Sequence, residues 1–330
     1  STLSSSSAAS DVYKRQIFGK PAEFIRLAAD ANDEERGLKM LNSNSFNSIE
    51  DYLKFYGLDS VCAEYELVPF KSDGFELAGH IFKPAEYKAA VILLHGLMGH
   101  TGLMSKFIGH LTMAGFAVAA FDLPGHGLSS GERTAIDDFS QYSDSLSAFL
   151  DVVKANLSGP YHLIGFSTGA STVMDYIFAG KKDYFDKVIL AAPLVRCVHW
   201  PMAQISFLLY KPFLKDVDRV YRKVSSDREF ERFIRYEDPM SARKVSLKWV
   251  EAFFNWNKKI ADTPISDRKI LVIQGKKDNT VAWKYNLKCI RSKFSDTKIT
   301  LVEKARHELF NESVELRSQI FSQIQDYLEG

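Results

Sequence analysis

Six short apolar runs, at residues 89–94, 116–121, 161–164, 188–192, 270–273 and 299–302, recur along this chain with helix-patterned stretches between them. Near-continuous aliphatic and β-branched runs of this length suit strands buried on both faces. Their alternation with helices implies a mostly parallel sheet covered by helices on each side. In such a sheet the functional residues collect at the carboxyl ends of the strands. With 330 residues and 46% hydrophobic content, the chain can bury a core of that size as one large α/β domain or as a domain with an insertion.

Residues 64–70 and 75–82 alternate apolar with polar and are joined by Lys71-Ser72-Asp73-Gly74, which is hairpin chemistry and predicts an antiparallel edge ahead of the parallel strands. Residues 17–59 are expected to form a helical extension, with Ser48-Ile49-Glu50-Asp51 carrying the spacing of a capping box at one helix start. Residues 1–16 are expected to lie outside the fold as a non-native or disordered tail. The first ten are a serine and alanine tract with little to bury, and Asp11-Val12-Tyr13-Lys14-Arg15-Gln16 resembles a translated transposase adapter, as in a metagenomic assembly.

Residues 195–263 interrupt the rhythm with no sheet-like run and many aromatics, which predicts a helical cap inserted before the strand at 270–273. The core is thereby divided into residues 60–194 and 264–330. Apolar residues of a cap either pack on the core or line a ligand pocket. Within the cap, residues 200–214 carry Ile205, Phe207, Leu208, Leu209, Tyr210, Phe213 and Leu214. This segment is expected to pack on the core, with transient contact to a membrane or micelle surface as the alternative.

Gly165-Phe166-Ser167-Thr168-Gly169 follows one apolar run and precedes a stretch in which Ala170, Val173, Met174 and Ile177 recur at helical spacing. In a strand–turn–helix setting G-x-S-x-G is a nucleophile elbow: Gly165 and Gly169 give clearance to a strained turn that lifts the Ser167 hydroxyl above the sheet. The alternative is a glycine-rich helix start whose serine caps the helix. A serine nucleophile needs a base to take its proton, an acid to orient and charge-balance that base, and donors for an oxyanion. Where a serine sits on such a turn, the acid and then the histidine follow it in the chain.

Gly275-Lys276-Lys277-Asp278 follows the run at 270–273, which puts Asp278 on a loop at a strand's carboxyl end, and His307 lies just beyond 299–302 as the only histidine after His199. Separately they would be a turn aspartate and a surface histidine; their type, order and topology together match a triad with Ser167. The run at 89–94 leads into His95-Gly96-Leu97-Met98-Gly99, where a loop completing the oxyanion hole belongs. The backbone N–H groups of Leu97 and Thr168 are the expected donors, with His95 and Gly96 shaping the loop.

A net charge of +1 gives no electrostatic footprint for nucleic acid, and the basic residues between 211 and 235 are interleaved with acidic ones, as on a solvated helical face. Cys62, Cys197 and Cys289 form no C-x-x-C pair and read as free thiols of a reducing compartment, which makes the cytoplasm the expected location. His100 and His126 lack metal-ligand spacing, and the chemistry requires neither a metal nor an organic cofactor.

With these residues in place, the sequence resembles the monoglyceride lipase and lysophospholipase branch of the α/β-hydrolases, the serine aminopeptidase-like hydrolase family, over about residues 64–328. The resemblance rests on His95-Gly96-Leu97, on residues 122–131 with the pattern D-x-x-G-H-G-x-S-x-G, on the elbow, on Gly275-Lys276-Lys277-Asp278-Asn279-Thr280-Val281 and on Ala305-Arg306-His307-Glu308. It implies a carboxylic-ester hydrolase acting on lipid-like esters such as monoacylglycerol or lysophospholipid. Ser167, Asp278 and His307 would be its triad, and the cap an acyl-binding tunnel. Thr168 stands where many relatives have methionine, and Ala170 where many have a second glycine. Neither change removes a catalytic group, since the donor at 168 is a backbone N–H, but both bear on pocket shape. The rival readings are an acyltransferase using the same acyl-enzyme and a catalytically silent fold that binds an apolar ligand.

Overall fold

The computed structural model describes residues 24–26, 46–62 and 64–330. The expected tail at 1–16 and most of the expected helical extension over 17–59 lie outside the described residues. Where the extension is described, it is only partly helical. Phe24–Arg26 form strand β1, which pairs parallel with residues 64–66. Three residues are too few for a period-2 pattern to be read from sequence, and the open edge of a sheet supplies the partner. The helix α1, Ile49–Tyr56, does begin at Ser48, whose Oγ accepts from the Asp51 N–H at 3.1 Å.

The antiparallel hairpin comprises β2 (Glu64–Ser72) and β3 (Phe75–Lys83), each longer than its sequence signal. Only Asp73 and Gly74 separate them, both at positive φ, the backbone of a type I′ turn whose twist matches the strands. There follow β4 (Ala89–Leu94), α2 (Ser105–Met113), β5 (Phe116–Phe121), α3 (Ser140–Asn156), β6 (Tyr161–Phe166), α4 (Thr168–Phe178) and β7 (Phe185–Ala191). After the insert come β10 (Ile270–Gly275), α8 (Trp283–Lys293), β11 (Thr297–Val302) and α9 (Val314–Glu329). Among the described residues the sheet has nine strands in the order β1-β2-β3-β5-β4-β6-β7-β10-β11, parallel from β5 onward and antiparallel around β3. This is the α/β-hydrolase architecture, with its antiparallel strands at the amino-terminal edge.

The strands divide their side chains between two cores. Along β4, Ala90, Ile92 and Leu94 enter the cluster shared with α3 and α4, whereas Ala89, Val91 and Leu93 enter the cluster shared with α1, α2 and α9. Two-sided burial is why these strands read as continuous apolar runs.

The insert between β7 and β10 contains α5 (Trp200–Tyr210), β8 (Asp216–Asp218), α6 (Arg228–Tyr236), β9 (Lys244–Ser246) and α7 (Leu247–Ala261). It is mainly helical, but β8 and β9 form a two-stranded antiparallel ribbon that the sequence pattern did not indicate. Trp249, Phe253, Phe254 and Trp256 of α7 are buried in the larger core. The segment at 200–214 departs from expectation. Only Trp200 of α5 is buried, and Leu208 is 71% and Phe213 84% exposed. Among the described residues no helix is long and apolar enough to cross a membrane.

Phe149 of α3 sits fully buried against Phe70 and Phe121, at ring-centroid distances of 5.2 and 4.9 Å. Phe149→Ala should therefore lower unfolding free energy by about 3–5 kcal/mol in a urea titration, through lost burial and the cavity left behind. A loss under about 1 kcal/mol would mean that this face of the sheet is not packed as described.

Candidate active site

Strand β6 ends at Phe166 and helix α4 begins at Thr168, so Ser167 alone makes the turn, with φ 53° and ψ −112°. A non-glycine residue there is strained by about 1–3 kcal/mol and persists only where its surroundings hold it. The Ser167 N–H donates to Ala191 O at 2.9 Å, and Ser167 O accepts from the Ser171 N–H at 3.1 Å. The flanking glycines are required by contact: a Cβ on Gly165 would lie 2.4 Å from Gly169 O, and one on Gly169 2.5 Å from Leu94 O. The start of α4 against β6 and the end of β4 against α4 thus leave the serine side chain the outward direction.

Asp278 leaves the end of β10 and His307 follows β11, and the two loops are tied by the Lys277 N–H donating to Ala305 O at 2.9 Å. Ser167, Asp278 and His307, far apart in the chain, are brought into one line. His307 Nδ1 lies 2.8 Å from Asp278 Oδ2, and its Nε2 lies 3.0 Å from Ser167 Oγ. An imidazole donating from Nδ1 to the carboxylate leaves Nε2 free to accept the serine proton. Asp278 Oδ2 also accepts from Gln274 Nε2 at 3.0 Å, and Oδ1 accepts from the N–H groups of Thr280 and Val281 at 2.8 and 3.1 Å.

Burial opposes ionisation of Asp278, but the charge and hydrogen bond of His307, helped by the two N–H donors, hold the carboxyl below the usual carboxylate range. Burial likewise disfavours the His307 imidazolium, yet the charge and hydrogen bond of Asp278 prevail and raise its pKa above the ordinary histidine value.

The loop at 95–99 packs on the elbow, so that a Cβ on Gly96 would sit 3.0 Å from the Ser167 Cβ. Among the described residues no hydrogen bond occupies the Leu97 N–H. The Thr168 N–H is in the first turn of α4, where no intrahelical acceptor exists. Neither expected donor is thus engaged by another group among the described residues. His95 does not take part in the Ser167–His307–Asp278 line. Its Nδ1 donates to Gly96 O at 2.8 Å and its Nε2 accepts from the Leu123 N–H at 2.9 Å, while burial lowers its pKa to about 4. It is a neutral tie between the loop at 95–99 and the turn after β5.

Two supporting residues escaped the reading of the sequence. Gln274 interrupts an otherwise apolar strand, and that break was its only signal. Asp122 is fully buried and accepts from the N–H groups of Thr101 and Leu128, both at 2.7 Å. Its position at the head of the 122–131 segment was visible, but its task of joining that segment to the turn beyond 95–99 was not.

A family model described as serine aminopeptidase, S33, matches residues 85–314. The chain is similar to a monoglyceride lipase homolog of Monkeypox virus, 24% identical over 267 residues that span 75% of this chain and 92% of the relative. It is also similar to the monoglyceride lipase of Saccharomyces cerevisiae, 25% identical over 284 residues, covering 76% and 89% respectively. Among solved structures, a soluble variant of the Saccharomyces cerevisiae monoglyceride lipase with a substrate analog superposes with a TM-score of 0.69 at 22% identity, over 80% of this chain and 94% of that one. A monoacylglycerol lipase from Paleococcus ferrophilus does so with a TM-score of 0.65 at 24% identity, over 77% and 98%.

The His307–Asp278 contact has a direct spectroscopic consequence. Histidine titration followed by NMR should place the His307 midpoint above the ordinary value of about 6.5. In Asp278→Asn the carboxylate charge is gone while burial remains, so the midpoint should fall below that value. A midpoint unmoved by the substitution would mean that Asp278 does not set the charge of His307.

Proposed function

The chain belongs to the serine aminopeptidase, S33 family and is a serine hydrolase, and we propose that it cleaves carboxylic esters of lipid-like substrates, monoacylglycerol, lysophospholipid or medium-chain acyl esters, through an acyl-enzyme on Ser167. The observation that carries this reading is the unbroken line from Ser167 Oγ through His307 to Asp278, with contacts of 3.0 and 2.8 Å, at the carboxyl ends of three strands. The names of the monoglyceride lipases to which the chain is similar support the lipid-like substrate class.

In the proposed mechanism His307 Nε2 removes the hydroxyl proton as Ser167 Oγ attacks the ester carbonyl. The carbonyl electrons move onto oxygen, and the Leu97 and Thr168 N–H groups hold the oxyanion. Asp278 stabilises the imidazolium and keeps the ring in the productive tautomer. Collapse of the intermediate expels the alcohol with the proton returned by His307. Water, deprotonated by the same nitrogen, then releases the acid. Ser167→Ala should abolish turnover across a p-nitrophenyl ester series, and Asp278→Asn should lower kcat by about 10⁴-fold. Full activity of Ser167→Ala would end this reading, and transfer of the acyl group to added glycerol in place of hydrolysis would redirect it to a transferase.

The outward face of the insert supports a role in reaching aggregated substrate. Met202, Ile205, Leu208 and Leu209 of α5 are each more than half exposed, and Phe213 follows in the next turn. A helix that is apolar all round and not buried fits an apolar surface better than water. Each such aliphatic side chain contributes about 1.5–3 kcal/mol when fully removed from water. The double variant Leu208→Gln, Phe213→Ser should therefore turn over monoacylglycerol in vesicles roughly tenfold more slowly, while p-nitrophenyl butyrate hydrolysis stays within about twofold. Equal losses on both substrates would count against surface docking.

A further inference from the structure

His307 is gripped on both sides by one short stretch of the insert. On its amino side, the Arg306 N–H donates to Glu312 Oε1. The other oxygen of the same carboxylate, Oε2, accepts from the Ser226 N–H at 2.7 Å and from the Ser226 hydroxyl. On its carboxyl side, the Glu308 N–H donates to Val224 O at 2.9 Å. Two further bonds close the joint: Ser225 Oγ donates to Asn311 O at 2.7 Å, and the Ser313 N–H donates to Ser226 Oγ at 3.1 Å. The stretch is braced from its own side by Glu231 Oε1, which accepts from the N–H groups of Val224 and Ser225 at 2.6 and 2.7 Å. Glu312 is fully buried, and both its oxygens are committed to these contacts.

This is more than a generic anchor, because of where it lands. The imidazole must meet Asp278 and Ser167 at the same time, at 2.8 and 3.0 Å, and the peptides that fix its backbone are the ones this joint holds. From the position of these bonds we infer that Glu312, braced by residues 224–226 of the insert, is a positioning residue for His307. The inference rests on the reading of His307 as general base. A small displacement of a base lowers the rate of proton transfer without altering the surface that holds the substrate, so the effect belongs in kcat.

The test uses the full chain with p-nitrophenyl butyrate, rates being expressed per active site titrated to completion with a fluorophosphonate. In Glu312→Gln, Oε1 can still accept from Arg306, but an NH₂ group faces the Ser226 N–H. Expected is a kcat about tenfold lower, with KM within about twofold. Ser226→Ala removes one hydroxyl and should cost about threefold in kcat, with the double variant no slower than Glu312→Gln because both break the same link. If Glu312→Gln yields no folded protein, Ser226→Ala decides. Wild-type kcat per site in the folded variants, with His307→Ala inactive, overturns the positioning role alone. Turnover retained in His307→Ala overturns the functional reading itself.

Discussion

The positive φ of Ser167 is the constraint on which the site depends. It exists because Gly165 meets the start of α4, and Gly169 the end of β4, so closely that neither can carry a side chain, and because the Ser167 N–H is bonded to β7 and its C=O to α4. Strain of this kind cannot be held by the turn alone. The parallel sheet, buried on both faces, supplies the rigidity, and its order brings the ends of β6, β7 and β10 side by side. The hydroxyl is thereby directed away from the core toward the loops that carry His307 and Leu97.

A second layer of order is electrostatic and almost wholly buried. Asp278 keeps its charge because four donors reach it: His307, Gln274 and two backbone N–H groups. Asp122 does the same at the turn beyond the loop at 95–99, where its oxygens accept from Thr101 and Leu128 and His80 lies 3.7 Å away. A carboxylate out of water is tolerated only when its lone pairs are used, so each of these groups dictates the course of the backbone around it. His95, held neutral by burial, performs the complementary task with one donor and one acceptor nitrogen.

The insert has two mechanical regimes. Its middle part is bolted to the core: Glu312 ties Ser226 to the His307 loop, and Asp238 accepts from Tyr56 at 2.8 Å and meets His100 at 3.2 Å, which joins it to α1 and to the turn beyond Leu97. Helix α5 and the turn after it, by contrast, meet water with most of their apolar side chains. A cap built this way holds the machinery at its base while offering an apolar surface at its outer end.

The strand–helix alternation, the antiparallel edge, the elbow and the order of Ser167, Asp278 and His307 were all legible in the amino-acid sequence, because each is written locally as a period, a turn composition or a chain order. The strands β1, β8 and β9 were not: three residues carry no period, and their partners are distant or arise only when the insert folds. Nor could the exposure of α5 be read, since an apolar helix has the same pattern whether it faces a core or water. By itself the sequence determined which residues would stand at the ends of which strands. Tertiary structure alone decided that His307 reaches Ser167 and Asp278 at hydrogen-bond distance, that Gln274 donates to Asp278, and that Asp122 and Glu312 tie together the loops around them, because a hydrogen bond between residues distant in the chain depends on packing that no local pattern records.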